Sequence, residues 1–353
     1  MPQPIKPMGD SRPRTGSIMA IDKSVLILIP SYDDWDALRL LLPRIDSAVA
    51  DSAWKASVLI VDDGSSDPCP TDWPGTNLHA LESVRLLHLR CNLGHQRAIA
   101  LGLYHAHEFT SADAVLVMDG DGEDRAEDIP VLLDEFERSG GTHTVFAART
   151  RRMESCTFQF FYRAYKLIHL VLTGIEVRVG NFSVVPRPAL TRLMVVSDLW
   201  NHYAAAVLRA RLPRRLVPLE RGARLAGHSR MNFVSLLVHG LSAISVFADR
   251  VSARLLAASC VLAIAGLSLV FSTGVNTVSV AMIALAVQAL SFGVFFALTI
   301  VSRRNGLTFL LLRDAPHFVL GVTNCGGKTS PGRLDMADRD VANLITGPLG
   351  TAK

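Results

Sequence analysis

Carboxylates gather at three points of this chain, each just after a short apolar run. Asp119 and Asp121 follow Ala114–Met118, Asp62 and Asp63 end the run that begins at Leu59, and Asp33 and Asp34 follow Val25–Ile29 by way of Pro30, Ser31 and Tyr32. Two carboxylates separated by one residue can share a divalent cation, and Glu123 extends that alternation to a third oxygen ligand. Mg2+ and Mn2+ take oxygen ligands of this kind and commonly keep phosphate oxygens of a substrate in their shell. Gly120 and Gly122 permit a tight backbone turn beside such a ligand. A calcium loop of the EF-hand type is excluded: its twelfth position must be glutamate, and counting from Asp119 that position is Pro130. In the stretch from Val61 to Asp67, the carboxylates offer acceptors to a base or a ribose, and Gly64, Ser65 and Ser66 suit a sharp turn after a strand. Each cluster alone reads equally well as a solvated turn. Their repetition at successive strand ends points to a ligand cleft, because open α/β sheets bind ligands outside the carboxyl ends of their strands.

The elements that must position these acids follow from periodicity. Val25–Ile29, Val58–Val61, Val84–Leu89, Ala114–Met118 and Val145–Ala148 are short apolar runs expected as strands. Ala37–Ala50, Gly94–His107 and Ala126–Glu137 carry apolar residues at three- and four-residue spacings and are expected as helices. This alternation predicts an α/β fold, a mostly parallel sheet with helices on both faces. No GxGxxG follows any of the strands, so the dinucleotide-binding version is unsupported.

The second half of the chain changes character. Thr157–Thr173 mixes aromatic and basic residues and reads as an amphipathic helix, and Met231–Ala248 mixes apolar with small ones. Both fit a core-packing helix as well as a membrane-surface one. Leu255–Phe271 and Val278–Ser302 are uncharged and long enough to span a hydrocarbon core. The short uncharged link Ser272–Asn276 makes them a transmembrane hairpin. Arg250 and Arg254 precede it, and Arg303, Arg304 and Arg313 follow it. Basic residues on both outer flanks put both ends in the cytoplasm. The composition agrees, with 49% hydrophobic residues and a mean hydropathy of +0.29. Two spans are too few for an ordinary transport path in a monomer, and they suit an anchor beside a lipid substrate. The five cysteines are scattered with no CxxC spacing, which fits a reducing compartment and argues against a disulfide framework or zinc site. Residues 1–23 are polar, lack a signal-length apolar stretch and are expected as a disordered tail.

In this order and spacing, IPSYDD (29–34), VDDGSSD (61–67), NLGHQRAIALGL (92–103) and MDGDGED (118–124) resemble the family 2 GT-A glycosyltransferases. FAARTRR (146–152), FYRAYKLIHLVLTG (161–174), GNFSVVPR (180–187), RLAGHSRMN (224–232) and the hairpin narrow the resemblance to polyprenyl-phosphate glycosyltransferases of the dolichyl-phosphate mannose synthase type. The resemblance covers residues 24–302. It implies a GT-A catalytic domain over 24–230, a juxtamembrane amphipathic region over 231–254, two transmembrane helices over 255–302 and a cytoplasmic tail over 303–353. The activity it implies is inverting, metal-dependent transfer of a sugar from a nucleotide-sugar donor to polyprenyl phosphate, such as undecaprenyl or dolichyl phosphate. The alternatives are a transferase acting on a glycolipid or growing glycan, and a catalytically idle membrane scaffold that binds nucleotide sugars. The implied location is the bacterial inner membrane with the catalytic domain and both termini cytoplasmic; an oligomer is a family expectation.

Residue by residue, the resemblance assigns Pro30, Tyr32, Asp34, Asp62, Asp63 and Asp119 to the nucleotide, and Asp119, Asp121 and Glu123 to Mg2+ or Mn2+. Relatives usually carry glutamine where Glu123 stands. Arg149 and Arg163 match arginines that meet the acceptor phosphate, and Arg224, Ser229 and Arg230 match the Arg-x-x-Gly-x-Ser-Lys element near the phosphates. The catalytic set is therefore Asp121, Arg149, Arg163, Arg224 and Arg230. Asn181 stands before Phe182 where many relatives have an acid, which weakens that position as a catalytic base. His95, His105 and His107 are expected in packing or surface roles, and Trp200-Asn201-His202 fits either packing or the rim of a sugar pocket. The basic residues from Arg211 to Arg224 point to lipid phosphate rather than nucleic acid, given the adjacent apolar segments.

Overall fold

The apolar runs become strands of one mixed sheet. The computed structural model describes residues 23–74, 78–149, 167–175, 179–227, 240–313 and 318–326, with the backbone alone at 149, 299–313 and 326. Its first five strands are β1 (Lys23–Ser31), β2 (Trp54–Asp62), β3 (Val84–Leu89), β4 (Ala114–Val117) and β5 (Thr144–Arg149). β1 lies between β2 and β4 and runs parallel to both, and β3 lies parallel beyond β2. Among the described residues the full order is β7-β5-β6-β4-β1-β2-β3-β8.

Three of these strands were not among the expected runs, and each has a reason. β6 (Val179–Pro186) is antiparallel between β4 and β5, and Asn181 and Ser183 break its apolar pattern. β7 (Arg214–Leu219) is an edge strand, largely exposed, with arginines and Pro218 of the kind that protect an edge from further pairing. β8 (Val319–Gly326) follows the apolar hairpin in sequence and pairs antiparallel with β3 at the opposite edge.

Successive β1 side chains enter two cores. Leu26 and Leu28 face α2 (His95–Phe109), α4 (Arg187–Met194) and α5 (Tyr203–Arg209). Val25, Ile27 and Ile29 face α1 (Trp35–Val49) and α3 (Ile129–Arg138). Leu38, Leu41, Leu42 and Ile45 form the buried stripe of α1 at the expected spacing. The start of α3 is preceded by a 3-10 turn over Ala126–Asp128, and Pro130 sits in its first turn, where a missing N–H costs nothing.

Two helices stand apart from these cores: α6 (Ala248–Thr273) and α7 (Thr277–Arg313). They contain apolar windows, Ala248–Thr273 and Thr277–Leu298, long enough to cross a membrane and only 11% buried each. Small residues bring them together: Ser259 Oγ donates to the Ala286 carbonyl at 2.7 Å, and Gly266 lies against Ile283. At the base of the hairpin, Arg209 pairs with Asp198 and Asp249, and Arg254 donates to the carbonyls of Leu170 and Val171. Because β8 rejoins the sheet, the hairpin leaves from and returns to one body. The expected amphipathic segments are described only over 167–173 and from 240 onward; the rest of both lies outside the described residues.

Candidate active site

The acids cluster at the carboxyl ends of β1, β2 and β4, on loops that hold one another. Asp33 adopts a positive φ of 50°, and its carboxylate accepts from the backbone N–H groups of Ser66 (2.6 Å) and Asp67 (3.2 Å). Its own N–H donates to Ser65 Oγ at 2.8 Å. The Tyr32 hydroxyl lies 3.2 Å from Ser66 Oγ, and Trp35 Nε1 donates to the Asp67 carbonyl. The loop after β1, carrying Tyr32 and Asp34 just beyond Pro30 at the end of the strand, is thereby fastened to the loop after β2.

Asp62 and Asp63 are both buried, and their oxygens are already engaged. Asp62 Oδ1 accepts from Ser65 N at 3.0 Å, and Asp62 Oδ2 lies 3.2 Å from His88 Nδ1. Burial works to raise the Asp62 pKa, but the bonds from His88 and Ser65 outweigh it and hold the carboxyl below its ordinary range. Asp63 accepts from Leu93 N and Gly94 N, both at 2.8 Å, and burial still pushes it above the ordinary range. Asp63 thus clamps the loop that starts α2. Gly64, at a φ of 68°, passes so close to Cys91 that an added Cβ would sit 2.6 Å from its carbonyl carbon.

The turn after β4 is built differently. Asp121 Oδ1 accepts from Glu123 N, while Asp121 Oδ2 takes Arg224 Nη1 at 3.1 Å. The other arm of Arg224 reaches both oxygens of Asp34, at 3.0 and 3.2 Å. Arg221 pairs with Glu123. The backbone follows the same line: Gly222 N donates to the Glu123 carbonyl and Leu225 N to the Asp121 carbonyl. Gly122 takes a φ of 85°, and a Cβ there would overlap Leu225. Burial, then the neighbouring Asp119, raises the Asp121 pKa, and Arg224 and Arg221 oppose this only in part.

Among the described residues no three His, Cys, Asp or Glu side chains converge closely enough to hold a metal ion as they stand. The donor set nevertheless suits a hard divalent cation by type. Asp119, Asp121 and Glu123 supply carboxylate oxygens from one turn, and the Asp121 carboxyl, raised first by burial and then by Asp119, sits where a cation would favour its ionised form. In this state arginine guanidinium groups supply that positive charge at Asp121 and Glu123.

Asp119 is held by a polar group of residues from two other elements. The β4–β6 register brings Ser183 opposite Val117, so Asn181 falls beside Asp119. Asn181 Nδ2 donates to Asp119 Oδ1 at 3.2 Å and lies 2.9 Å from His95 Nε2, and that nitrogen is itself 3.2 Å from Asp119. Gln96 joins Asn181 to the Tyr203 backbone N–H. Partial desolvation disfavours a charge on His95, whose side chain is still 43% exposed, yet Asp119, with Asp121 and Asp124 behind it, outweighs this and raises its pKa.

His95 opens α2 at the cleft with its side chain 43% exposed, a surface position from which it also reaches Asp119. The packing assignment holds for His105, which is buried in the core and pushed down to about 4 by burial and Arg85. His107 lies near the surface beside Glu108 and Thr191. Trp200 is core, its ring tilted against that of Phe318, and His202 caps α5. Of the residues expected at the acceptor phosphate, Arg149 ends β5, with its side chain undescribed; Arg163, Ser229 and Arg230 lie outside the described residues. Arg224 is described, and it lies against the donor-side carboxylates. Reasoning from the sequence missed His88, His95, Gln96 and Arg221. The NLGHQRAIALGL motif contained two of them, whereas His88 and Arg221 depend on tertiary contacts.

A mixed sheet with acids at its strand ends and an apolar hairpin beside it defines the class, and comparison with known proteins agrees. Residues 26–193 match the family model Glycosyl transferase family 2. Over 221 residues it is 28% identical to undecaprenyl-phosphate 4-deoxy-4-formamido-L-arabinose transferase of Klebsiella pneumoniae, covering 61% of this chain and 64% of that protein. The protein of the same name from Salmonella choleraesuis is 26% identical with the same coverage. The chain thus spans under two thirds of the length of these relatives. Among solved structures, mannosyl-3-phosphoglycerate synthase from Rubrobacter xylanophilus is similar at 17% identity and a TM-score of 0.45, covering 65% of this chain and 74% of that one. Glucosyl-3-phosphoglycerate synthase from Mycobacterium tuberculosis, solved with Mn2+, UDP and glucosyl-3-phosphoglycerate, is similar at 15% identity and a TM-score of 0.45, covering 65% and 80%.

Proposed function

We propose that this chain is a membrane-anchored inverting glycosyltransferase that moves a sugar from a nucleotide-sugar donor to polyprenyl phosphate. The observation that carries the reading is the placement of an acid-lined cleft on the same sheet that sends out and takes back an exposed apolar hairpin. A hairpin with both ends on one body keeps that body on one membrane face, and the arginine flanks favour the cytoplasmic face of the bacterial inner membrane. The name of the undecaprenyl-phosphate relatives supports the acceptor class.

The chemistry follows from the groups in hand. A phosphate monoester is dianionic near neutrality, its second pKa being about 6, so the acceptor oxygen needs no base to become a nucleophile. That oxygen forms a bond to the anomeric carbon as the bond to the nucleotide diphosphate breaks, and the electron pair leaves with the diphosphate. Attack opposite the leaving group inverts the configuration. Asn181 suits such a reaction, since an amide takes up no proton and here orients Asp119. Mg2+ or Mn2+ on Asp119 and Asp121, with Glu123 as third ligand, would offset charge on the departing diphosphate. Asp34, Tyr32 and Asp62 address the nucleoside, with Asp63 holding the loop behind it. Arg149, Arg163, Ser229 and Arg230 are assigned to the acceptor phosphate, whose planar, permanently charged guanidinium partners offer paired donors. With a cation at Asp121, the Nη1 arm of Arg224 would be available to a phosphate while its Nη2 arm stays on Asp34.

The test offers membranes containing the protein a panel of labelled nucleotide sugars with polyprenyl phosphate, followed by organic extraction. Label in the lipid phase, acid-labile and dependent on a divalent cation, is expected with one donor. Label confined to a glycolipid or glycan would move the acceptor, and donor binding without turnover would make the protein a scaffold.

A further inference from the structure

The donor pocket is buttressed by a strand that lies beyond the membrane hairpin in sequence. β8 pairs along β3 from Val84 to Leu89, and the Phe318 carbonyl accepts from Arg90 N at 2.9 Å. Phe318 also lies 5.6 Å from the ring of Trp200, which Arg97 covers on another side. At the middle of this seam the Thr323 hydroxyl is 3.3 Å from His88 Nε2, and His88 Nδ1 is 3.2 Å from Asp62 Oδ2.

The directions of these bonds are set by chemistry. An ionised Asp62 only accepts, so His88 Nδ1 carries the proton that it donates. In the neutral ring Nε2 is then the acceptor, and the Thr323 hydroxyl donates to it. Asp62 thereby sets the tautomer, and the hydroxyl on β8, able to donate or accept, holds the orientation of the ring, much as partners beyond a ligating histidine fix its ring. Asp62 Oδ1 is oriented by Ser65 N on the other side, leaving the carboxylate only one rotamer.

We propose that His88 is a positioning residue for the nucleotide and that Thr323, on the returning strand, holds its ring in the orientation that meets Asp62. The inference rests on the reading of Asp62 as a nucleotide contact. It makes residues beyond the hairpin part of the donor site: a chain lacking β8 would keep its acids and lose the alignment of one of them.

Four variants of the full-length protein test this, each assayed for donor KM and kcat once the panel above has identified the donor. His88→Leu removes both bonds and is expected to raise donor KM about tenfold with kcat little changed, the size expected for a hydrogen bond to a charged acceptor. His88→Asn places its amide nitrogen near the position of Nδ1 and is expected to restore most of the affinity. His88→Gln reaches Thr323 instead and is expected to behave like His88→Leu. Thr323→Val is expected to raise KM by roughly two- to fivefold, since it loosens the ring without removing it. Equal KM in all four variants overturns the proposal, as does an Asn variant no better than Leu while both melt with the wild type. If the wild-type protein turns over no nucleotide sugar, the functional reading fails instead, and the two failures are distinct.

Discussion

The acids after β2 and the acids after β4 look alike in sequence and are held in opposite ways. Ser65, Leu93 and Gly94 satisfy Asp62 and Asp63 largely with backbone N–H groups. Those donors cannot leave without unfolding a loop. Asp121 takes one backbone N–H, from Glu123, but its other oxygen and the Glu123 carboxylate are met by Arg224 and Arg221, long side chains on the segment after β7. A guanidinium can swing away on its own rotamers and be replaced by another cation. The first pair builds a pocket, and the second is held mainly by side chains that could give way, as the proposed site for a metal and a diphosphate would require.

The sharpest way to break this contrast is Asp121→Ala. Loss of a group that stabilises a departing diphosphate is expected to lower turnover by ~10²-fold or more. The melting temperature should fall little, because Arg224 keeps both of its bonds to Asp34 when it loses Asp121. Initial rates of label transfer into lipid, with melting in the same detergent, check both halves. Full activity in chelator-treated buffer would end the metal assignment.

Asp63→Ala should invert that pattern. It strands the N–H groups of Leu93 and Gly94 in the interior, and an unpaired buried donor costs about 1–3 kcal/mol. The expected outcome is a clear loss of stability in urea, with remaining activity tracking the folded fraction. A stable Asp63→Ala protein whose donor KM alone has risen would show that Asp63 meets the nucleotide directly.

Much of this contrast could be read from the sequence, and the unread part shares one cause. Apolar runs that are buried on both faces, such as Leu26–Ile29 and Val58–Val61, betray themselves because nothing polar interrupts them. The acids at their ends followed at once. β6, β7 and β8 carry polar residues for tertiary reasons: Asn181 for Asp119, arginines and Pro218 for an edge, Thr323 for His88. A strand whose side chains serve the site loses the pattern that would reveal it. The same holds for His95 and His88, whose partners lie 24 and 26 residues away in sequence. The family motifs marked the region around His95 but assigned it no role.

The mildest expected effect concerns pH, and its sign should differ between the two acids. Asp62 has a folded-state pKa below its ordinary value, so its contribution to stability is present above the unfolded pKa of about 3.9 and is lost as the pH falls through the folded value. Asp121 has a folded-state pKa above its ordinary value, so its contribution is present below about 3.9 and is lost as the pH rises through the folded value. Asn mimics the neutral acid at every pH. Near neutrality Asp62→Asn should therefore be less stable than wild type and Asp121→Asn more stable, both without added metal. Both differences should shrink on acidification, the Asp121 difference first, because its folded pKa is the higher. Urea unfolding of the two variants and wild type, at neutral pH and again near the carboxylate range, reads the signs directly. Two differences of the same sign would mean that Arg224 and Arg221 hold Asp121 as firmly as the backbone and His88 hold Asp62, and the distinction between a built pocket and an exchangeable one would be lost.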